Sequence, residues 1–201
     1  MRLFYLLLVC TGLYACGDVT PATEDAEQII SVEQTGGDTT TRNLELAFFD
    51  LDLPVLNYLV FRQELALQDM NGFLAIESDS LARKAKRAGL EPIGPPVSLF
   101  YGWDAERAWG DAAVGMPVRP GQTLPPYVRI DLPATKALML EMEGSYDRLS
   151  VMHYSLNEEI ARRGVKPVPP SIEEYVVGPA DTDNPDEFRT RIYYRYETPA
   201  E

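Results

Sequence analysis

The stretch "KPVPPSIEEYVVGP", residues 166–179, sets two carboxylates side by side in an otherwise strand-like run. Alternation along a strand sends them to opposite faces: Glu174 with Ile172 and Val176, Glu173 with Tyr175 and Val177. A carboxylate among aromatic rings suits a cation with flat apolar parts. Each ring face attracts a cation by roughly 0.5–2 kcal/mol, and an acid in an apolar cavity is costly to ionise without a positive partner. The residues alone leave three readings of Glu173 open. It lines such a cavity, it faces water, or it pairs with Arg189, Arg191 or Arg195 on the following strand.

Other groups able to do chemistry are sparse. His153 is the single histidine and lies in the apolar stripe of a helical stretch, near Leu149 and Leu156, with Glu158 and Glu159 within helical reach. One histidine makes neither a metal site nor a triad, so it reads as a satisfied core or edge residue. Asp181, Asp183 and Asp186 stand in a turn-rich acidic loop, but their spacing is not that of a calcium-binding loop. No glycine-rich phosphate loop is present. No metal and no cofactor is expected.

Positioning Glu173 requires a frame, and the frame is written twice. "LDLPVLNYLV" from Leu51 matches "IDLPATKALM" from Ile130, and "RAGLEPIGPPVSLFYG" (87–102) matches "RRGVKPVPPSIEEYVVG" (162–178). Gly89 falls on Gly164, Pro95-Pro96 on Pro169-Pro170 and Tyr101 on Tyr175. Leu74, Ile76 and Leu81 fall on Leu149, Val151 and Leu156. Several matches in one order indicate a duplicated unit. Each copy reads as a strand after Asp-Leu-Pro, a helix (about 72–88 and 145–163), then two strands. Leu149, Met152, Leu156 and Ile160 mark one buried helical face, and basic clusters followed by Gly89 and Gly164 mark the helix ends. Phe188, Thr190, Ile192, Tyr194 and Tyr196 alternate with polar residues along the last strand. The expected fold class is α+β: duplicated β-α-β-β units related by a pseudo-twofold, with an antiparallel sheet and two helices packed on one side.

The chain is long enough, at 201 residues, for one sizeable core, and its formal net charge of -13 repels phosphate backbones. No nucleic-acid partner is expected. "MRLFYLLLVCTGLYACGD" carries one early cation and a short apolar run, a secretory signal pattern spanning 1–15. It closes on Leu13-Tyr14-Ala15-Cys16, which resembles a bacterial lipobox, so Cys16 is the expected lipidation site and a membrane the expected partner of that lipid. With Cys10 removed, no cysteine is left for a disulfide or a thiol site. Residues 16–43 are rich in Thr, Gly and acids and read as a lipidated cysteine followed by a flexible acidic tether. The body, 44–201, would then stand at the cell envelope, periplasmic or outer-membrane-associated.

The body resembles the GyrI-like small-molecule-binding domain, the effector-binding half of multidrug-responsive bacterial regulators. The resemblance runs from Leu44 to Thr198. It rests on "GPPVSLFYG" (94–102), "VGMPV" (114–118), the Gly144-Ser145-Tyr146-Asp147-Arg148-Leu149 helix start, "EEYVVGP" (173–179) and the closing Thr190-Arg191-Ile192. Where the regulators carry a DNA-binding half, this sequence has the signal pattern, so a transcriptional role is not expected.

The resemblance implies that Glu173, two residues before Tyr175 and six before Pro179, faces a ligand cleft. With Leu99 and Tyr101 taken as the first-copy counterparts of Glu173 and Tyr175, the cleft would be lined by Leu99, Tyr101, Trp103, Glu173, Tyr175 and Val177, joined by Trp109. Binding of a small amphipathic or cationic aromatic molecule is then the expected function. Relatives similar to hydrolases imply an alternative, with Glu173 as general base and Tyr175 or Tyr101 as hydrogen-bond donor. A single acid is thin machinery for it, and binding is favoured over an enzyme. A third reading is a lipoprotein that binds a protein partner and keeps a vestigial cleft.

Overall fold

The structure is a computed structural model that describes residues 28–34 and 42–198, with side chains from residue 46 onward. The signal segment and Cys16 lie outside the described residues. The strands are β1 (Gln28–Gln34), β2 (Arg42–Leu53), β3 (Leu56–Ala66), β4 (Val97–Asp104), β5 (Trp109–Pro117), β6 (Val128–Leu132), β7 (Thr135–Glu143), β8 (Lys166–Pro167), β9 (Ser171–Val177) and β10 (Arg189–Glu197). The helices are α1 (Met70–Arg87) and α2 (Leu149–Arg163). Nine strands form one antiparallel sheet in the order β1-β2-β7-β10-β9-β4-β5-β3-β6, and β8 pairs with β10. The fold is α+β, with both helices packed against this sheet.

The two units expected from the sequence are β3-α1-β4-β5 and β7-α2-β9-β10, joined at the centre by the β4–β9 ladder. Both helices end where glycine permits a left-handed turn. Gly164 has φ 64° at the end of α2. After α1, Gly89 (φ 66°) donates to the Lys86 carbonyl and Leu90 to the Ala85 carbonyl, which closes the last turn. The helices share a face. Met152, Leu156 and Ile160 of α2 pack on Phe48, Leu138, Leu140 and Ile192, while Leu81 and Ala85 of α1 pack on Leu59, Val114 and Met116.

The strand preceding each Asp-Leu-Pro also belongs to the sheet, but on the far side. β2 pairs with β7 of the second unit and β6 with β3 of the first. Two residues link β2 to β3, and two link β6 to β7, yet the linked strands stand six places apart in the order. Six flat strands span about 29 Å, and such a link reaches only about 10 Å. The sheet must therefore coil until its ends meet at a corner, where Leu53 pairs with Thr135 and Leu56 with Leu132. The helices sit outside the coil. Its inside is a second core of Tyr58, Val60, Val97, Leu99, Ala113, Leu132 and Ile172, all buried.

Residues 28–34, expected within the flexible tether, form the edge strand β1, with Ile30 opposite Leu46. Backbone pairing with β2 supplies what the short apolar cluster could not supply alone.

Candidate functional site

The β4–β9 ladder pairs Ser98 with Glu173 and Leu99 with Ile172. Cross-strand partners share a face, so Ser98, Glu173 and Tyr175 turn toward the helices while Leu99, Ile172 and Glu174 turn into the coil. Glu173 is 4% exposed. Its Oε1 is 2.6 Å from His153 Nε2, and its Oε2 accepts from the Tyr175 hydroxyl at 2.6 Å. Tyr175 Oη lies 2.8 Å from Ser98 Oγ. The phenol has one hydrogen, which serves the carboxylate, so Ser98 donates to Tyr175. His153 Nδ1 is 3.0 Å from the Tyr194 hydroxyl, which accepts from Asn157 Nδ2 at 3.1 Å. One proton arrangement satisfies the whole chain: Asn157 donates to Tyr194, Tyr194 to His153 Nδ1, and His153 Nε2–H to Glu173.

Aromatic rings enclose this chain. Phe100 meets His153 edge-on at 5.7 Å, and Tyr146 meets Tyr175 edge-on at 5.5 Å. Burial pushes the Tyr175 phenol well up, and the Glu173 charge pushes it further. Burial, with Glu173 beside it, also raises Tyr194 to about 12. Both tyrosines therefore keep their protons at neutral pH and act as donors. Among the described residues, no lysine or arginine nitrogen lies within 4.0 Å of the Glu173 carboxylate. The expected alternative, a pair with Arg189, Arg191 or Arg195, is not formed. Arg191 binds Glu141 at 2.6 Å, and Arg195 donates to the carbonyls of Pro169 and Pro133. Among the described residues, no three His, Cys, Asp or Glu side chains gather as a metal site requires.

The structure brings Glu173 and Tyr175 together but does not bring the other expected lining residues to them. Leu99 is fully buried inside the coil, and Tyr101 packs beside it under Arg62, whose guanidinium carbon sits 3.6 Å from the ring centre. The physical reason is a one-residue slip. The Pro-Pro and tyrosine matches put the two copies 74 residues apart, whereas the helices are 75 apart, and only 75 keeps equivalent strand residues on one face. Ser98 is the true counterpart of Glu173. A bulge at Tyr101 in β4, mirrored at Val176 beside β10, absorbs the extra residue. Trp103 is 60% exposed, about 17 Å along β4 from Ser98, and Trp109 lies half-buried across from Asp104, against Gly102. Neither reaches Glu173.

The sequence by itself does not mark His153, Ser98, Tyr194 or Asn157 as a site residue. His153 is satisfied at both nitrogens, as its stripe position suggests, but its partner is Glu173 and not the same-helix acids. Glu159 is instead held by Arg162 and Arg163. The helix offset of 75, carried on into the strand, would have placed Ser98 opposite Glu173.

No protein-family model matches the chain, and no curated protein matches its sequence. Solved structures do resemble it. The EcmrR C-terminal domain shares 15% identity at a TM-score of 0.65, over 77% of this chain and 99% of that one. In a DNA complex of EcmrR the TM-score is 0.68 at 16% identity, and this chain spans only 58% of the EcmrR chain. SAV2435 bound to tetraphenylphosphonium shares 14% identity at a TM-score of 0.57, over 75% of this chain and 93% of that one. At such identities the likeness is one of fold, and it agrees with the GyrI-like architecture expected from the sequence motifs.

Proposed function

We propose that the chain binds a small amphipathic cation between its two repeats, with Glu173 as the anion that holds it. The observation that carries this reading is a carboxylate 4% exposed, at the junction of the repeats, ringed by Tyr146, Tyr175, Phe100 and Tyr194 and satisfied, among the described residues, by a histidine and a phenol. A buried acid with no lysine or arginine beside it among the described residues is left for a cation that comes and goes. The likeness to SAV2435, seen with a lipophilic cation, supports the same chemistry. Because His153 fills one side of the carboxylate, the cation must take the place of the imidazole. Calorimetric titration with tetraphenylphosphonium chloride tests this. Wild type should bind and Glu173→Gln should bind about tenfold more weakly or worse. Equal binding by the two removes Glu173 from the site.

The same reading places the binding domain at the cell envelope through a lipid on Cys16, on the strength of Leu13-Tyr14-Ala15-Cys16. Incorporation of labelled palmitate into the wild-type chain and not into Cys16→Ser is the expected result.

A further inference from the structure

The sheet order leaves β6 at one end, and the direction of its free backbone groups follows from its neighbour β3. Pro117 has no N–H, so its pairing with Tyr58 is a non-hydrogen-bonded one, and the Asn57 carbonyl accepts from the Val118 N–H at 3.0 Å. Asn57 and Leu59 thus turn their backbone groups toward β5, while Leu56, Tyr58 and Val60 turn theirs toward β6. The register sets these last three opposite Leu132, Ile130 and Val128. What is left on the outer edge is the N–H and C=O of Arg129 and of Asp131, with no hydrogen-bond partner among the described residues. Such an edge is a template for another strand. Its side chains sort by face. Leu132 is part of the inner core, Ile130 packs against that core, and Val128 on the same face is 64% exposed. Arg129 and Asp131 share the opposite face, where the guanidinium binds Asp131 at 2.9 Å and Asn57 at 3.2 Å. A cation and an anion therefore flank Ile130 symmetrically.

We propose that β6 is a self-association edge, occupied by β6 of a second copy of this chain in antiparallel register about Ile130. Only residues with outward backbone groups can exchange hydrogen bonds across the new ladder. The opposed residues are then two arginines, two aspartates, or one of each. The first two registers set like charges directly opposite, which destabilises a pair. The third sets Arg129 opposite the partner's Asp131, twice over, and satisfies every free backbone group of the edge. It also lays the exposed Val128 beside the partner's Leu132 and brings the two Ile130 side chains together. A twofold closes on itself, so growth stops at a dimer. Two five-residue strands make an interface at the small end of specific contacts, and a dissociation constant of about 100 µM is expected. Glu173 takes no part in this edge, so the edge and the ligand site stand or fail separately.

Sedimentation equilibrium on the full chain, up to about 1 mM, tests this. Wild type should show a reversible monomer–dimer equilibrium. Arg129→Pro should abolish it, because proline removes an edge N–H that β3 does not use and leaves the sheet intact. Arg129→Asp and Asp131→Arg each set like charges opposite in the dimer, and each should weaken association about tenfold or more. An equimolar mixture of these two variants should associate again, within about threefold of wild type, because mixing restores unlike charges at both pairs. Both variant chains stay acidic overall, so bulk charge does not draw the mixture together. A monomer at every concentration, a dimer that Arg129→Pro leaves intact, or a mixture no more associated than its parts would each overturn the proposal. Circular dichroism checks folding. The two charge variants and their mixture decide the matter should Arg129→Pro fail to fold.

Discussion

Replacing His153 by alanine should make the protein less stable and a better binder at once. In the wild type, His153 Nε2 stands 2.6 Å from Glu173 Oε1, and the carboxylate has Tyr175 as its other partner. A hydrogen bond to a charged group contributes about 1.5–3 kcal/mol. Its loss leaves a carboxylate 4% exposed with one donor in place of two. A deficit of about 3 kcal/mol lowers the melting temperature of a chain this size by about 6–12 °C. The same 1.5–3 kcal/mol is what a cation must overcome to displace the imidazole. Without it, tetraphenylphosphonium should bind about ten- to a hundredfold more tightly. At a hundred times its dissociation constant the ligand should restore about 2.7 kcal/mol of stability. Thermal melts with and without the cation, and calorimetry on both proteins, read the two effects separately. A variant that melts lower but binds the cation no better would refute the reasoning. The histidine–glutamate contact would then be a structural pair with no ligand to admit.

Two further perturbations probe the frame. Raising the pH should destabilise the fold from about pH 10 upward. The unfolded chain ionises its tyrosines near 10, whereas burial holds the folded Tyr194 up to about 12. Stability is full below pH 10 and falls between 10 and 12, by about 2–3 kcal/mol from Tyr194 alone, with Tyr58, Tyr175 and Tyr193 raised in the same direction. Urea midpoints at pH 9 and pH 12 that coincide would contradict the buried hydroxyl network. Gly115→Ala should cost about 1–3 kcal/mol, because its new Cβ would lie 2.8 Å from Val97 Cγ2, between β4 and β5 at the coil's inner face. A denaturation midpoint equal to wild type would show that the inner core is looser than its burial indicates.

Local signals carried the units of the fold. Gly89 and Gly164 mark the helix ends because a left-handed residue after a helix needs glycine, whatever packs around it. The alternation from Thr190 to Tyr196 marks β10 because the period of two belongs to the strand itself. The duplication was legible in matched residues, and with it the pseudo-twofold; the ladder between β4 and β9 came only with the structure. The partners of β2 and β6 were not legible. Each pairs with the opposite unit, and no residue in "FFDLDL" or "VRIDL" names a strand about eighty positions away.

The site divides in the same way. That the two acids at 173 and 174 face opposite sides follows from the backbone of any strand, and so was determined by sequence alone. Which side holds helices, and which encloses the second core, was decided by the coiling that two short links impose on nine strands. The pairing of His153 with Glu173, and the one-residue offset that puts Ser98 and not Leu99 opposite that acid, also came only with the tertiary structure. Spacing along a chain sets the direction of a side chain relative to its own neighbours. What it meets there depends on packing between elements distant in sequence.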